Sequence, residues 1–299
     1  MIPSSTKRAM LMSLWSVSND LLIGDTRLEK YKILMELNRK DIFGEEITDS
    51  EKADAVSVLL NGISPKGDIQ NYKKRMRVSV ETGDMYPDHY IPPYNGNKKL
   101  RLIQGFLPKT CILYANHYEL EIIRLLFMFA PDNEKVDELV KTTLKRLKNT
   151  CFGNSCTQGE CRAAGISVLR FLAATQPQNS EWIDKLLTPL GDMFMAFGNG
   201  QAAAHSGIPI TYLLMAFTDI NSEKTKKYIA QKKDWLLSML RKGWITGKLS
   251  NGKISEGDCY NLMGKYIIRN ALGTLPEYKD IAKHEIYVSD RDGRCYCNI

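Results

Sequence analysis

No stretch of this chain approaches the roughly 18 consecutive apolar residues that a membrane-spanning helix needs, so no membrane span is expected. Low-complexity tracts and long disordered runs are also missing. A disulfide framework is not indicated, because the seven cysteines are odd in number: Cys111, Cys151, Cys156, Cys161, Cys259, Cys295 and Cys297. Nor is there a convincing export signal. Lys7-Arg8 precede only a short apolar run, broken by Ser13 and Ser16, with no clean small-x-small site after it. The thiols therefore read as reduced groups or ligands, and the expected location is cytoplasmic. Charge of a single sign is absent too. The net charge is +7, but the basic clusters, such as Lys73-Lys74-Arg75 and Lys224 to Lys233, are interleaved with Glu134, Asp137, Glu223 and Asp234. That interleaving argues against a nucleic-acid groove.

What remains is ordinary for a soluble globular chain: 299 residues, 43% apolar and 25% charged. Residues 5–23 and 26–40 carry helical spacing, the second through Leu28, Tyr31, Leu34, Met35 and Leu37. Thr48 and Asp49 offer caps for a helix that stops at Gly62. Between residues 64 and 97 the helical pattern is lost among Pro65, Gly67, Gly83, Pro87, Pro92, Pro93 and Gly96. This reads as an irregular loop or lid with one short strand over 75–80.

From Leu100 onward the chain is helical and repetitive. IIRLLFMFAP from Ile122, VLRFLAATQP from Val168, ITYLLMAFTD from Ile210 and IIRNALGTLP from Ile267 can be superposed, with starts 46, 42 and 57 residues apart. Each ends an apolar helix. The last three follow a two-faced helix and a Gly-rich loop. A period of 40 to 50 residues made of two helices means stacked helical hairpins. An apolar helix alternating with an amphipathic one suits a ring with an inner and an outer layer. The expected fold is mostly α, with an N-terminal part over 1–63, the loop over 64–97, a ring of hairpins over 98–283 and a tail over 284–299. This pattern resembles the α/α toroid of terpenoid cyclases, protein prenyltransferases, lanthipeptide cyclases and several glycan-degrading enzymes, over about residues 100–280 and at the level of fold.

In such a toroid the N-termini of the inner helices meet at one mouth. That would gather Asn116, His117, Tyr118, Glu160, Cys161, Arg162, His205, Asp258, Cys259 and Tyr260. Two chemistries follow. Acid–base work on a small molecule or glycan would use His117, His205, Glu160 and Asp258. Its substrate contacts would be Asn116, Tyr118, Arg162 and Tyr260, with His89, Tyr90 and Tyr94 from the loop. A zinc–thiolate enzyme would use Cys161, Cys259 and either His205 or His117 as ligands. The resemblance to lanthipeptide cyclases and prenyltransferases implies that such zinc would activate a thiol. The paired Cys-His-Gly motif of the cyclases is absent, and the chain has Ala204-His205-Ser206-Gly207 instead. The spacing of Cys151, Cys156 and Cys161 fits neither a zinc ribbon nor a ferredoxin. A third reading is a helical-repeat module that binds a peptide or protein without catalysis. The Cys295-Tyr296-Cys297 end is not a prenylation box and is expected to be a loose tail.

Overall fold

The computed structural model describes residues 26–77, 84–92, 100–105, 107–108, 110–197, 209–245, 256–289, 291–292 and 294–299. The expected helix over 5–23, Tyr94 and His205 lie outside these residues, as do the side chains of Asp258 and Cys259; of the strand expected over 75–80, Arg75 ends a helix, 76–77 form a turn and 78–80 lie outside the described residues. The described chain is mostly helical. Its helices are α1 Thr26–Phe43, α2 Asp49–Leu60, α3 Lys66–Arg75, α4 Cys111–Phe129, α5 Glu134–Lys148, α6 Cys161–Thr175, α7 Ser180–Ala196, α8 Ile210–Ile220, α9 Glu223–Gln231, α10 Lys233–Arg241 and α11 Glu256–Leu272. No helix among the described residues is long and apolar enough to cross a membrane.

Local chemistry accounts for the boundaries. Thr48 and Glu51 form a reciprocal capping box at the start of α2. Asn133, Asn179 and Ser222 accept first-turn backbone N–H groups at the starts of α5, α7 and α9. Helix α3 lies inside the segment expected to be irregular. It begins after Pro65, carries Asp68 in its first turn and ends on Lys73-Lys74-Arg75, so its charges oppose the helix dipole at both ends. Ile69 and Tyr72 are its buried face. The amphipathic segment near Lys224–Trp244 is not one helix but two, α9 and α10, separated at Lys232.

Burial separates the helices into two kinds. In α4 every residue from Leu113 to Leu126 is buried, and in α6 every residue from Ala163 to Leu172. A fully buried Leu or Phe contributes about 1.5–3 kcal/mol, so these two helices supply much of the hydrophobic stability. Helix α5 instead buries one stripe, including Val136, Leu139, Val140, Thr143 and Leu147. Helix α1 packs on α4, α4 on α6, α6 on α8, α8 on α11, and α11 on α1. The one-sided helices sit outside these contacts: α2 and α5 on α4, α7 on α6, α9 on α7 and α8, and α10 on α11.

The C-terminal segment is not a loose tail. β1 Trp244–Ile245, β2 Ile286–Val288 and β3 Arg294–Cys297 form an antiparallel sheet in the order β1-β3-β2. Cys295 and Cys297 both point inward because alternate strand residues share a face.

Candidate functional site

The loop from α5 to α6 is built to bring its three cysteines together. Thr150 Oγ1 donates to the Leu147 carbonyl at 2.8 Å and accepts from Gly153 N–H at 3.0 Å. A Cβ on Gly153 would stand 2.1 Å from the Leu147 carbonyl oxygen, so only glycine fits that turn. Phe152 is buried in the core and the Trp182 indole donates to the Gly153 carbonyl at 2.8 Å. The chain then reverses through left-handed conformations at Ser155 and Gly159. Cys156 N–H donates to the Cys151 carbonyl at 3.0 Å, and the Arg162 guanidinium braces the Thr157 carbonyl.

As a result the Sγ atoms of Cys151, Cys156 and Cys161 lie within 4.8 Å of one another. Cys151 and Cys161 are 3.4 Å apart. Cys151 is exposed and the other two are half-buried. Burial pushes the Cys161 thiol up to about 12, and hydrogen bonding to Cys151 and then Cys156 pushes the same way. Among the described residues, this is the group of three or more His, Cys, Asp or Glu ligand atoms close enough to hold a metal ion. The described sulfur neighbours of Cys161 are Cys151 and Cys156; the other expected ligands, His205 and the Cys259 side chain, lie outside the described residues.

His117 lies inside the helices, 2% exposed. Ile103 N–H donates to its Nε2 at 3.1 Å, and Ser167 Oγ stands 3.4 Å from its Nδ1. Burial lowers its pKa to about 4; Glu121 opposes the shift, while Arg170 and Arg124 add to it. The ring is therefore neutral at pH 7. Ser167 lies 2.9 Å from the Tyr212 hydroxyl, which donates to Glu121 at 2.7 Å. Glu121 is also held by Arg124 at 2.9 Å and Arg170 at 2.7 Å. Burial alone would raise its pKa, but the two guanidinium groups bring it down to about 2. Arg170 reaches on to Asp219 at 2.6 Å, and Arg124 to Asn38 at 2.8 Å. Four helices, α1, α4, α6 and α8, thus share one buried polar line.

Most of the other described candidates, and Glu119 beside them, have structural partners. Glu119, fully buried, accepts from the backbone N–H groups of Asp88, His89 and Tyr90 and pairs with Arg146 at 2.8 Å. Asn116 donates to the Met85 and Ile112 carbonyls and accepts from Arg146. Tyr90 donates to the Leu59 carbonyl and Tyr118 to that of Arg27. These residues staple the 84–92 segment to α2, α4 and α5, and α4 to α1. His89 Nε2 and Glu160 Oε1 are buried without a partner, while Glu160 Oε2 accepts from the Thr110 hydroxyl. Tyr260 lies under the Arg101 guanidinium, 5.1 Å from its ring centre.

The chain matches no family model, no curated protein and no solved structure. Sequence reading missed Ser167, Tyr212, Glu121, Arg124, Arg170 and Asp219. Their signal was available: charged residues set at helical spacing inside otherwise apolar helices, where a buried charge requires a partner.

Proposed function

We propose that this chain is an α/α toroid that binds one zinc ion through Cys151, Cys156 and Cys161 at its rim. Four contacts support the toroid reading. Thr110, which caps α4, bonds Glu160, the residue before α6. Asn38 in α1 meets Arg124 in α4, Arg170 in α6 meets Asp219 in α8, and Asn270 in α11 donates to the Ile42 carbonyl at the end of α1. Each joins like ends, which is what parallel inner helices require. The cycle α1–α4–α6–α8–α11–α1, with the one-sided helices outside it, is the order expected of an inner layer.

The zinc reading rests on the three convergent thiols. Tetrahedral zinc with Zn–S near 2.3 Å sets sulfurs about 3.8 Å apart. The observed spacing, 3.4 Å for one pair and at most 4.8 Å for all three, needs only side-chain adjustment to meet it. Thiolate donors select soft or borderline ions over magnesium or calcium. Three protein ligands with a solvent-facing side at Cys151 leave a fourth position open, as in catalytic rather than structural sites. When bound, the metal supplies Lewis acidity and lowers the pKa of a coordinated thiol or water. The chain's own part is to hold the donors. Trp182 and Thr150 fix the loop base, and Arg162 fixes its return. Thiolate chemistry is favoured over acid–base chemistry because these thiols border solvent, whereas His117 is neutral and enclosed.

Metal analysis of protein purified without a metal-affinity step tests this. The proposal expects about one zinc per chain in the wild type and none in Cys151→Ser/Cys156→Ser/Cys161→Ser, with unchanged helical circular dichroism. Metal-free wild type that fails to take up added zinc, or equal loading of the variant, overturns it.

A further inference from the structure

The described cysteines all carry free thiols, and they differ in reach. Cys295 and Cys297 are buried on one face of β3, closed to a reagent in solvent. Cys111 is half-buried at the start of α4. Among the described cysteines Cys151 alone is exposed, and its Sγ lies 3.4 Å from that of Cys161. Both residues sit on held backbone. Cys151 stands between Thr150, whose hydroxyl bonds the Leu147 carbonyl and Gly153 N–H, and the buried Phe152. Cys161 opens α6, and its N–H donates to the Gln158 carbonyl at 3.0 Å. Cys156 lies on the span between these anchors, directly after the left-handed Ser155. Closing the Cys151–Cys161 pair from 3.4 Å to the roughly 2.05 Å of an S–S bond is within the reach of side-chain rotation.

We propose that Cys151 and Cys161 are a reversible oxidation site: a hydroperoxide joins them in a disulfide, a thiol reductant parts them, and the three-sulfur metal site exists only in the reduced form. The metal clause rests on the zinc reading above, whereas the disulfide stands without it. Exposure sets the order of events, because oxidants reach the accessible thiol first. The Cys151 sulfur attacks one oxygen of hydrogen peroxide, the O–O bond breaks, and Cys151 becomes a sulfenic acid as one water leaves. The Cys161 sulfur then attacks the Cys151 sulfur. The S–OH bond breaks, the S–S bond forms, and the Cys161 proton departs with the hydroxyl as a second water. Each thiol gives up one electron, and the peroxide takes both. An external dithiol reverses the change by exchange and is itself left as the disulfide. In the oxidised form two of the three donors are withdrawn and Cys156 remains alone, too few ligands for a zinc site.

Peptide mapping by mass spectrometry tests it on the full chain, reduced, freed of metal, treated with one equivalent of hydrogen peroxide and then alkylated. The expected result is the loss of two alkylatable thiols, recovered as a Cys151–Cys161 cross-link, with Cys295 and Cys297 still reduced. Cys156→Ser should form the same cross-link. Cys156→Ser/Cys161→Ser should stop at a sulfenic acid on Cys151 that dimedone traps. Dithiothreitol should restore both thiols. Uptake of added zinc, followed on the same samples, should be lost on oxidation and return with the thiols. A mixture of cysteine pairs like that from protein oxidised in guanidinium chloride, a cross-link that disappears in Cys156→Ser, or zinc uptake undiminished by oxidation overturns the proposal. A reduced sample that takes up no zinc defeats the zinc reading instead, and the cross-link map then decides this proposal by itself.

Discussion

His117 carries a stability cost that depends on pH. Its imidazole accepts from Ile103 N–H, so protonation breaks that bond and places a charge among buried groups. The folded pKa of about 4 lies below the ordinary 6.5. A depressed pKa means stability that is fully present above pH 6.5 and lost as pH falls through 4. The difference corresponds to about 3 kcal/mol. Between pH 7 and 5 urea unfolding should show the wild type losing about 2 kcal/mol more than His117→Gln, whose side chain cannot titrate. Parallel losses in the two proteins would contradict the assignment. This residue was singled out in the sequence as a catalyst, because periodicity places it near a helix start. Sequence could not show that Ser167 and Ile103, 50 and 14 positions away, take up both ring nitrogens.

The same limit applied to the cysteines. A five-residue interval is neither helical nor strand-like, so spacing alone did not bring Cys151, Cys156 and Cys161 together. Their convergence depends on the reversals at Ser155 and Gly159 and on the Phe152 anchor.

At the level of elements, the caps were legible and the breaks were not. Thr48 marked the start of α2, and Glu134–Lys148 was readable from its apolar stripe. Helix α3 was hidden by its proline- and glycine-rich neighbourhood. The split at Lys232 and the pairing of β3 with β1 and β2 depend on distant partners, which local pattern does not carry. Close approach between elements is equally nonlocal. Gly191 in α7 lies against Tyr228 in α9, and a Cβ there would meet the phenol ring at 2.3 Å. Gly191→Ala should therefore destabilise by about 1–3 kcal/mol despite its better helix propensity. Adding Tyr228→Ala should remove much of that penalty in a double-mutant cycle. Strict additivity would mean the two helices do not touch there.

For the whole molecule, apolar burial and the Glu121–Arg170–Asp219 links hold the helices, while the cysteine loop is a local feature between α5 and α6. Removal of the proposed zinc should act accordingly. A strong chelator should raise amide hydrogen exchange over residues 150–161 and leave α4 and α6 protected. Global loss of protection would make the proposed zinc a folding core rather than a local loop site. The mostly helical class was readable from composition and repeat, whereas the buried polar line was not. Its residues are scattered over four helices and meet only through packing.

Zinc K-edge X-ray absorption on the purified protein tests the proposed zinc centre most directly. The account predicts about three sulfur neighbours near 2.3 Å and one lighter neighbour, oxygen or nitrogen, in the open position. A shell of nitrogen and oxygen alone, or of four sulfurs, would contradict it.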